Sequence, residues 1–557
     1  MSLTIKYLDA PDGAQAAATV TGNGLQPFSV ETSAVTGADD VAWATTENDQ
    51  WILDGTRELI PDTPGGIGWW SSTPSTEARS GFILGKSRLG KTRLGASSPG
   101  CIFQTPLVLA VDFSERFSAT GITITFSPST DQWCTDIIVR WYREGVILAE
   151  VVAQPEQAQW TGGDSINAFD RITIELRKTN RPGQLAKIQQ IMVGQLIVFG
   201  RDEIISAQLV NEVDHTLGTL PVDISRFEVL APDDLFLNPK QNQRVELYRD
   251  KRLLATHYIE TGKREYSGNY VFNCQSAIGT LENDFMGGIY DKAPVMDVIS
   301  EILGAYRFEI DPTLAGETIT GYIPVCTRRE ALQQVVFAIG AMVSTHGSNA
   351  VRFLHVPTTG SGVFTDDLVF PGSAIEIAQR VAAVEVIAHR YKKSNTVETL
   401  IDDEEIDDED ALITFADPHW DYSITGGTIT GSGANWITVT AAGPVTVAAK
   451  TYTHTTTVRA KKNPDATNAE RGNVISVTDA TLVNSSNVKK VLNRIAAAAD
   501  RRWALSEEVV VSDQTIGDYV ESVGPWGNRV AGIITAMDGT LTQSGHTARI
   551  TIAGKEV

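Results

Sequence analysis

Three stretches carry residues whose type and spacing fit a known chemistry. Gly85-Lys86-Ser87-Arg88-Leu89-Gly90-Lys91-Thr92 matches G-x-x-x-x-G-K-T, the loop that cradles phosphates on backbone N–H groups. That chemistry needs a buried strand before the loop and a helix after it, whose N-terminus faces the phosphates. Residues 81–84 suit the strand, but Gly95 and then Ser97-Ser98-Pro99-Gly100 rule out the helix. No strand ends in an Asp placed to hold Mg²⁺. The stretch reads better as a pentad repeat, LGKSR, LGKTR, LGASS, forming a basic loop or short hairpins docked on an acidic neighbour. The second stretch, residues 402–410, holds eight acids in nine positions. It lacks the Gly and the alternating spacing of a calcium-binding helix–loop–helix, so the expectation is a solvated, self-repelling loop. The third is the pair Trp69-Trp70 in GWWSS. Two rings side by side can form a platform for sugars, but large aromatics more often pack inside, and core is the expectation here.

Nothing assembles a catalytic site. The eight histidines (His215, His257, His346, His355, His389, His419, His454 and His546) are dispersed. None stands in H-E-x-x-H or beside G-x-S-x-G. Carboxylates are plentiful, yet nothing selects a pair for glycoside hydrolysis. No catalytic residue, cofactor-binding residue or metal ligand is assigned, no cofactor is expected, and the chain is read as not an enzyme. Cys101, Cys134, Cys274 and Cys326 are scattered without a C-x-x-C pair, against both zinc spacings and a disulfide framework.

The totals narrow the partners. With 557 residues the chain has room for roughly three or four domains. Asp plus Glu exceed Lys plus Arg by 68 to 46, a formal charge of −22. Phosphate contacts need clustered cations, so nucleic acid is not expected as a bound ligand. No run approaches ~18 uninterrupted apolar residues, so no membrane span is expected. The N-terminus lacks the apolar core of a signal peptide.

Periodicity gives a mainly β, multidomain chain. Residues 1–38 form an extended arm with strands at 3–8 and 16–20, too small to fold alone and expected to pair with a sheet elsewhere. Residues 39–200 are all β, with strands at 103–113, 121–126, 136–142, 146–152, 170–176 and 187–198. Residues 201–285 read as a five-stranded meander, with Arg249-Asp250-Lys251 as a tight turn between two strands. In 286–358, an α/β segment, Pro294 opens a helix where its missing N–H costs nothing. Val295, Val298, Ile299 and Ile302 give that helix one apolar face. A second helix starts at a capping box, Thr327 to Glu330, with Leu332, Val335, Val336, Ile339 and Met342 as its stripe. Residues 359–470 are a β connection with a strand at 381–389, the acidic loop and projecting Thr-rich hairpins. Residues 471–557 form a helix and a closing barrel. Ser485 or Ser486 caps the helix, Val488, Val491, Leu492, Ile495 and Ala499 line it, and Arg501-Arg502 form its last turn. The strands after it are 507–512, 519–523, 528–537 and 547–552. Turns are expected at Gly517-Asp518, Pro525-Trp526-Gly527, Asp538-Gly539 and Ser544-Gly545.

Two resemblances follow. The ending IGDYV…NRVAGIITAMDGTLTQSGHTARITIAG resembles the closing barrel of phage tail-hub proteins, and VELYRD…LLATHYI resembles their other barrel. WILDGT, GWWSS and FDRITIELRKTNRPGQLAKIQQIMVG, in that order, resemble a discoidin-like (galactose-binding-like) jelly roll. The first resemblance implies two hub β-barrels with an intervening α/β segment, in a homotrimeric, pseudo-sixfold ring at a tail tip or baseplate. It implies a virion location after assembly in the bacterial cytoplasm. It implies contacts with distal tail, tail tube, tape measure and tip or spike proteins, and a channel that passes DNA without binding it specifically. Some hub relatives carry a cell-wall hydrolase after the last barrel; with Val557 directly after that barrel, none is expected here.

The rival reading is a glycan-binding adhesin or receptor-binding tail protein acting through 39–200. On that reading Trp69→Ala or Trp70→Ala abolishes binding of host-surface polysaccharide without unfolding the chain. The expected outcome on the hub reading is that a glycan-binding assay shows no dependence on either residue.

Overall fold

The computed structural model describes residues 3–9, 18–23, 30–31, 58–59, 69–70, 101–126, 133–180, 188–230, 241–266, 268–304, 306–360, 362–406, 411–542 and 545–557. The chain divides into two compact bodies, Lys6–Val198 and a larger one made of Met1–Ile5 with Phe199–Val557.

The smaller body is built on one sheet. Its order runs Trp69–Trp70, Glu58–Leu59, Ile188–Val193, Cys101–Phe126, Gln159–Thr179, Cys134–Arg143, Val146–Ala153. Ala18–Asn23 and Val30–Glu31 also pair with Cys101–Phe126. The strands expected at 103–113 and 121–126 are one strand of 26 residues. It remains continuous because its partner, Gln159–Thr179, breaks register beside it at Asp112/Phe117 and Thr120/Ile122. Gly121 stands at one such break with φ +66°, and a Cβ there would meet the Gly162 carbonyl oxygen at 2.4 Å. Trp141, Phe126, Phe169 and Ile174 fill the core. The loop at 85–92 lies outside the described residues, as do the side chains of Trp69 and Trp70.

In the larger body, one sheet continues through both barrel regions, in the order Leu3–Asp9 (of which Leu3 to Ile5 belong to this body), Arg244–Arg249, Arg252–Arg264, Asn269–Ser276, Ile224–Leu230, Ile204–Glu212, Arg529–Leu541, His546–Glu556, Trp503–Val510, Ala374–Ile377. Tyr519–Val523 joins it by pairing with Arg529–Leu541, and Gly362–Phe364 pairs with Tyr519–Val523. The result is a nearly closed, barrel-like sheet in a multidomain β protein. The first strands are not a meander. Ile224–Leu230 pairs with Asn269–Ser276, its neighbour in space but not in sequence. Asp250 and Lys251 do form the tight turn, with φ 48° and 69°. Both central residues lie in the left-handed region that a two-residue hairpin loop demands. Asp538-Gly539, read from sequence as a turn, lies inside the strand Arg529–Leu541.

Among the described residues three helices lie in this body: α1 (Val295–Leu303), α2 (Arg328–Ile339) and α3 (Val488–Ala499). α1 follows Pro294 and buries Val295, Val298, Ile299 and Ile302. α2 has the expected capping box, with the Thr327 hydroxyl accepting from Glu330 N–H and the Glu330 carboxylate accepting from Thr327 N–H. It stops at Gly340 in the left-handed region, so Met342 belongs to the strand Ala341–Ser344. α3 departs from expectation at both ends. Its N-cap is Asn487 with no side-chain cap bond. Asn484 Oδ1 takes the Ser486 N–H (2.8 Å) and Ser486 hydroxyl (2.5 Å) instead, which ends the preceding turn rather than starting the helix. Ala498, not Ala499, completes the buried stripe. Arg501 and Arg502 lie past the last turn, and their guanidinium groups donate to Pro357 and Ala378 carbonyls.

The acidic stretch is also placed differently. Residues 402–406 continue the 24-residue strand Ala383–Ile406; 407–410 lie outside the described residues. That strand pairs with Trp436–Lys462 from Ala383 to Ile406. At about 3.3 Å per residue the two form a ribbon of up to roughly 80 Å. Far from its base, Ile401, Ile437, Val439, Val445 and Val447 give the ribbon a small core of its own. Asp402 to Glu405 are exposed beside that core.

Losing the capping box exposes orphan donors of the first turn of α2. Thr327→Ala is expected to cost about 1 kcal/mol, seen as faster amide exchange confined to α2.

Candidate assembly surface

Among the described residues no group of three His, Cys, Asp or Glu side chains is arranged to hold a metal ion, and no helix is long and apolar enough to cross a membrane. The feature with built geometry is the seam between the two halves of the large sheet.

Each half has the same strand order. Label the strands A to E in chain order, with F the strand outside C. The first half has A Ile204–Glu212, B Ile224–Leu230, C Arg244–Arg249, D Arg252–Arg264, E Asn269–Ser276 and F Leu3–Asp9. The second has A Ala374–Ile377, B Trp503–Val510, C Tyr519–Val523, D Arg529–Leu541, E His546–Glu556 and F Gly362–Phe364. Both run F-C-D-E-B-A across the sheet. Strand D carries a bulge at the same point in each. Glu260 is the extra residue between Ile259 and Thr261, and Thr535 the extra residue between Ile534 and Ala536. A bulge inserts one unpaired residue and turns the strand.

At the seam, A of the first half pairs with D of the second. Ala207 to Glu212 stand opposite Leu541 to Ala536 in antiparallel register. Strand D is long enough for two partners on one edge: before the bulge it pairs with C, at Arg529 to Ile533, and beyond it with A. Gln208 donates to Asp538 Oδ1 across the seam at 2.8 Å. Gly539 leaves room for the side chain of His546 beside the seam, since a Cβ there would meet His546 Nε2 at 2.5 Å and the Leu209 carbonyl oxygen across the seam at 3.4 Å.

A second lock lies at the hairpin turn of the first half. Arg249 donates to the Ser512 carbonyl at 2.7 Å and the Val511 carbonyl at 3.2 Å, and its Nη1 lies 3.1 Å from His546 Nδ1. Burial, then the Arg249 charge, holds His546 down to about 4. The imidazole is therefore neutral near pH 7, and Nδ1 can accept from Arg249. His257 and His346 are buried too. Burial lowers His257 to about 3 and His346 to about 4. His257 Nδ1 sits 2.9 Å from the Ser225 hydroxyl, so it is a packing group rather than a base. Buried Asp223 accepts from Glu212 N–H at 3.1 Å and from the Thr345 hydroxyl at 2.7 Å, which ties the first half to the strand after α2.

One core position sets the halves apart in charge. Phe227 on strand B stacks on Phe272 at 4.9 Å in the first half. In the second half Glu507 occupies that place, opposite Ile550. It is 2% exposed, and neither oxygen reaches hydrogen-bonding geometry with a partner. Burial pushes its carboxyl above the usual range, and the nearby Ser522 hydroxyl offsets only part of this.

Of the stretches that the sequence offers for chemistry, residues 402–406 lie on the ribbon and not at this seam; residues 85–92 and the side chains of Trp69 and Trp70 lie outside the described residues. The seam itself has no local motif. Its only sequence signal is a shared strand order, which becomes visible once both sets of strands are paired.

No family model and no curated protein matches the chain. Among solved structures it is similar to the 43 kDa tail protein of prophage MuSo2 from Shewanella oneidensis, at 9% identity over 64% of this chain and 95% of that one, with a TM-score of 0.39. It is similar also to a tail protein from Neisseria meningitidis MC58, at 11% identity over 64% of this chain and 93% of that one, TM-score 0.41. A chain of the native gene transfer agent virion is similar at 13% identity over 82% and 80%, TM-score 0.27. The similar structures are tail and virion components, and the likeness is distant.

A buried acid with a raised pKa contributes stability below its unfolded pKa, and loses it as pH rises through the folded value. Glu507→Gln is therefore expected to raise stability at pH 7–8 by roughly 1–2 kcal/mol and to change it little near pH 4. Urea midpoints of wild type and variant across that range measure this.

Proposed function

We propose that this chain is a structural component of a phage tail tip or baseplate, acting as a trimeric hub ring. In this reading three copies supply six barrel-like halves. The ring continues the tail tube, meets a distal tail protein on one side and a tip or spike protein on the other, and surrounds a channel for the tape measure and DNA. The observation that carries the reading is the repeat. Two halves with one strand order, already joined edge to edge, are what a threefold chain needs to match a sixfold tube. Both halves are also the segments whose sequences resemble hub barrels. The formal charge of −22 suits a channel wall that must not hold DNA. The role is mechanical, the particle is the site of action, and assembly takes place in the host cytoplasm. The smaller body is read as a discoidin-like domain carried by the ring.

The test is the mass of the purified chain by light scattering, with negative-stain images of the same peak. The expected result is three times 60.3 kDa and a threefold ring with a hole wide enough for a DNA duplex. A chain that stays monomeric at every concentration, alone and with its tail proteins, overturns the reading.

A further inference from the structure

We infer that the ring closes by repeating the internal seam between copies, with Ala374–Ile377 of one copy pairing onto the open half of strand Arg252–Arg264 of the next. This rests on the hub-ring reading above. In the first half, strand D pairs with C from Arg252 to Tyr258. Ile259 is held by Asn242 and Gln243 backbone bonds. Beyond the bulge, no strand of the described residues pairs with the outer edge of 260–263, and these residues are exposed. The matching part of the second half, from Ala536 onward, is the part covered by the seam. Strand A of the second half has the complementary vacancy. Ala374–Ile377 pairs with Trp503–Val510 on one side only among the described residues, and Ile377 is 50% exposed. An open strand edge is a template for another strand.

The repeat fixes the register. In the first half one row crosses the sheet through Ile259, Cys274, Ser225 and Leu209. The equivalent row in the second half is Ile534, Ile552, Leu505 and Ile375. Glu376 thus takes the place of Val210, which faces Asp538 across the internal seam. Asp538 lies three residues beyond its bulge, and the residue three beyond the other bulge is Lys263. The register therefore sets Glu376 of one copy against Lys263 of the next, and Ile377 against Gly262. In that register an acid meets a base. Lys263 is at present paired only with exposed Glu265 at 2.9 Å among the described residues. The contact is heterologous, since A and D are different surfaces, so it excludes a twofold dimer, and it closes a ring after three copies when it repeats the rotation of the internal seam.

The full-length chain carrying Lys263→Cys and Glu376→Cys tests this. Facing residues in an antiparallel pair lie within disulfide reach. Cys134 and Cys274 are buried and give little background, and Cys326, which is half-buried, and Cys101 are replaced by Ser in every variant. Mild oxidation is expected to give covalent dimers and then trimers, with nothing larger, while either single variant stays uncrosslinked. Glu376→Lys alone is expected to raise the concentration for half-assembly by roughly threefold or more, with recovery on adding Lys263→Glu. A chain that forms trimers by light scattering but gives no disulfide, and no charge-swap rescue, overturns this contact and leaves the ring standing. Crosslinking that stops at the dimer also overturns it. A chain that never trimerises overturns both.

Discussion

The architecture of the larger body depends on one strand having two partners on one edge. Arg529–Leu541 pairs with Tyr519–Val523 before its bulge and with Ile204–Glu212 after it. A strand edge left unpaired exposes a row of backbone N–H and C=O groups. The extra half of Arg529–Leu541 meets that demand from a segment more than 300 residues away in sequence, and so joins two folding units into one sheet. The Arg249 lock and the Gln208–Asp538 bond then fix what the backbone has aligned.

Much of this was legible in the sequence, because local chemistry decides it. Pro294, the Thr327–Glu330 capping box and the left-handed pair Asp250-Lys251 each act within a few residues, and each stands where its pattern places it. Strand positions in the second half followed from alternation and turn residues. What failed was nonlocal. Asp538-Gly539 carries a strong turn signal, yet strand Ile204–Glu212 captures it into a ladder, and the loss of turn chemistry is outweighed by paired backbone. The acids at 402–405 read as a loop because like charges repel, but Pro444, Val445 and their neighbours pair with them and hold them extended. The cap at Ser485 or Ser486 failed for a local reason, since the Ser486 hydroxyl donates to Asn484 Oδ1 instead of accepting from the first turn of the helix.

The candidate surface was the least legible part. The conspicuous acids at 402–405 lie on the ribbon and have no part in it. Its residues are ordinary ones, Gln208, Arg249, Asp538 and Gly539, and only their placement by two copies of one strand order gives them a shared task. Glu507 shows the same limit in reverse. Nothing in WALSEEVV marks one Glu as buried and the next as exposed, until the inward face of the second half is known.

The paired bulges carry one more consequence. Side chains alternate across a strand, so a bulge works like a shift of reading frame: residues before and after it obey opposite parities. Deleting Thr535 would remove only the extra residue: Ile534 and Met537 would then stand two apart and still face inward, and the strand would lose its bend. The seam is thus encoded in strand length as much as in residue type, since the bend between the two partners of Arg529–Leu541 rests on a single extra residue.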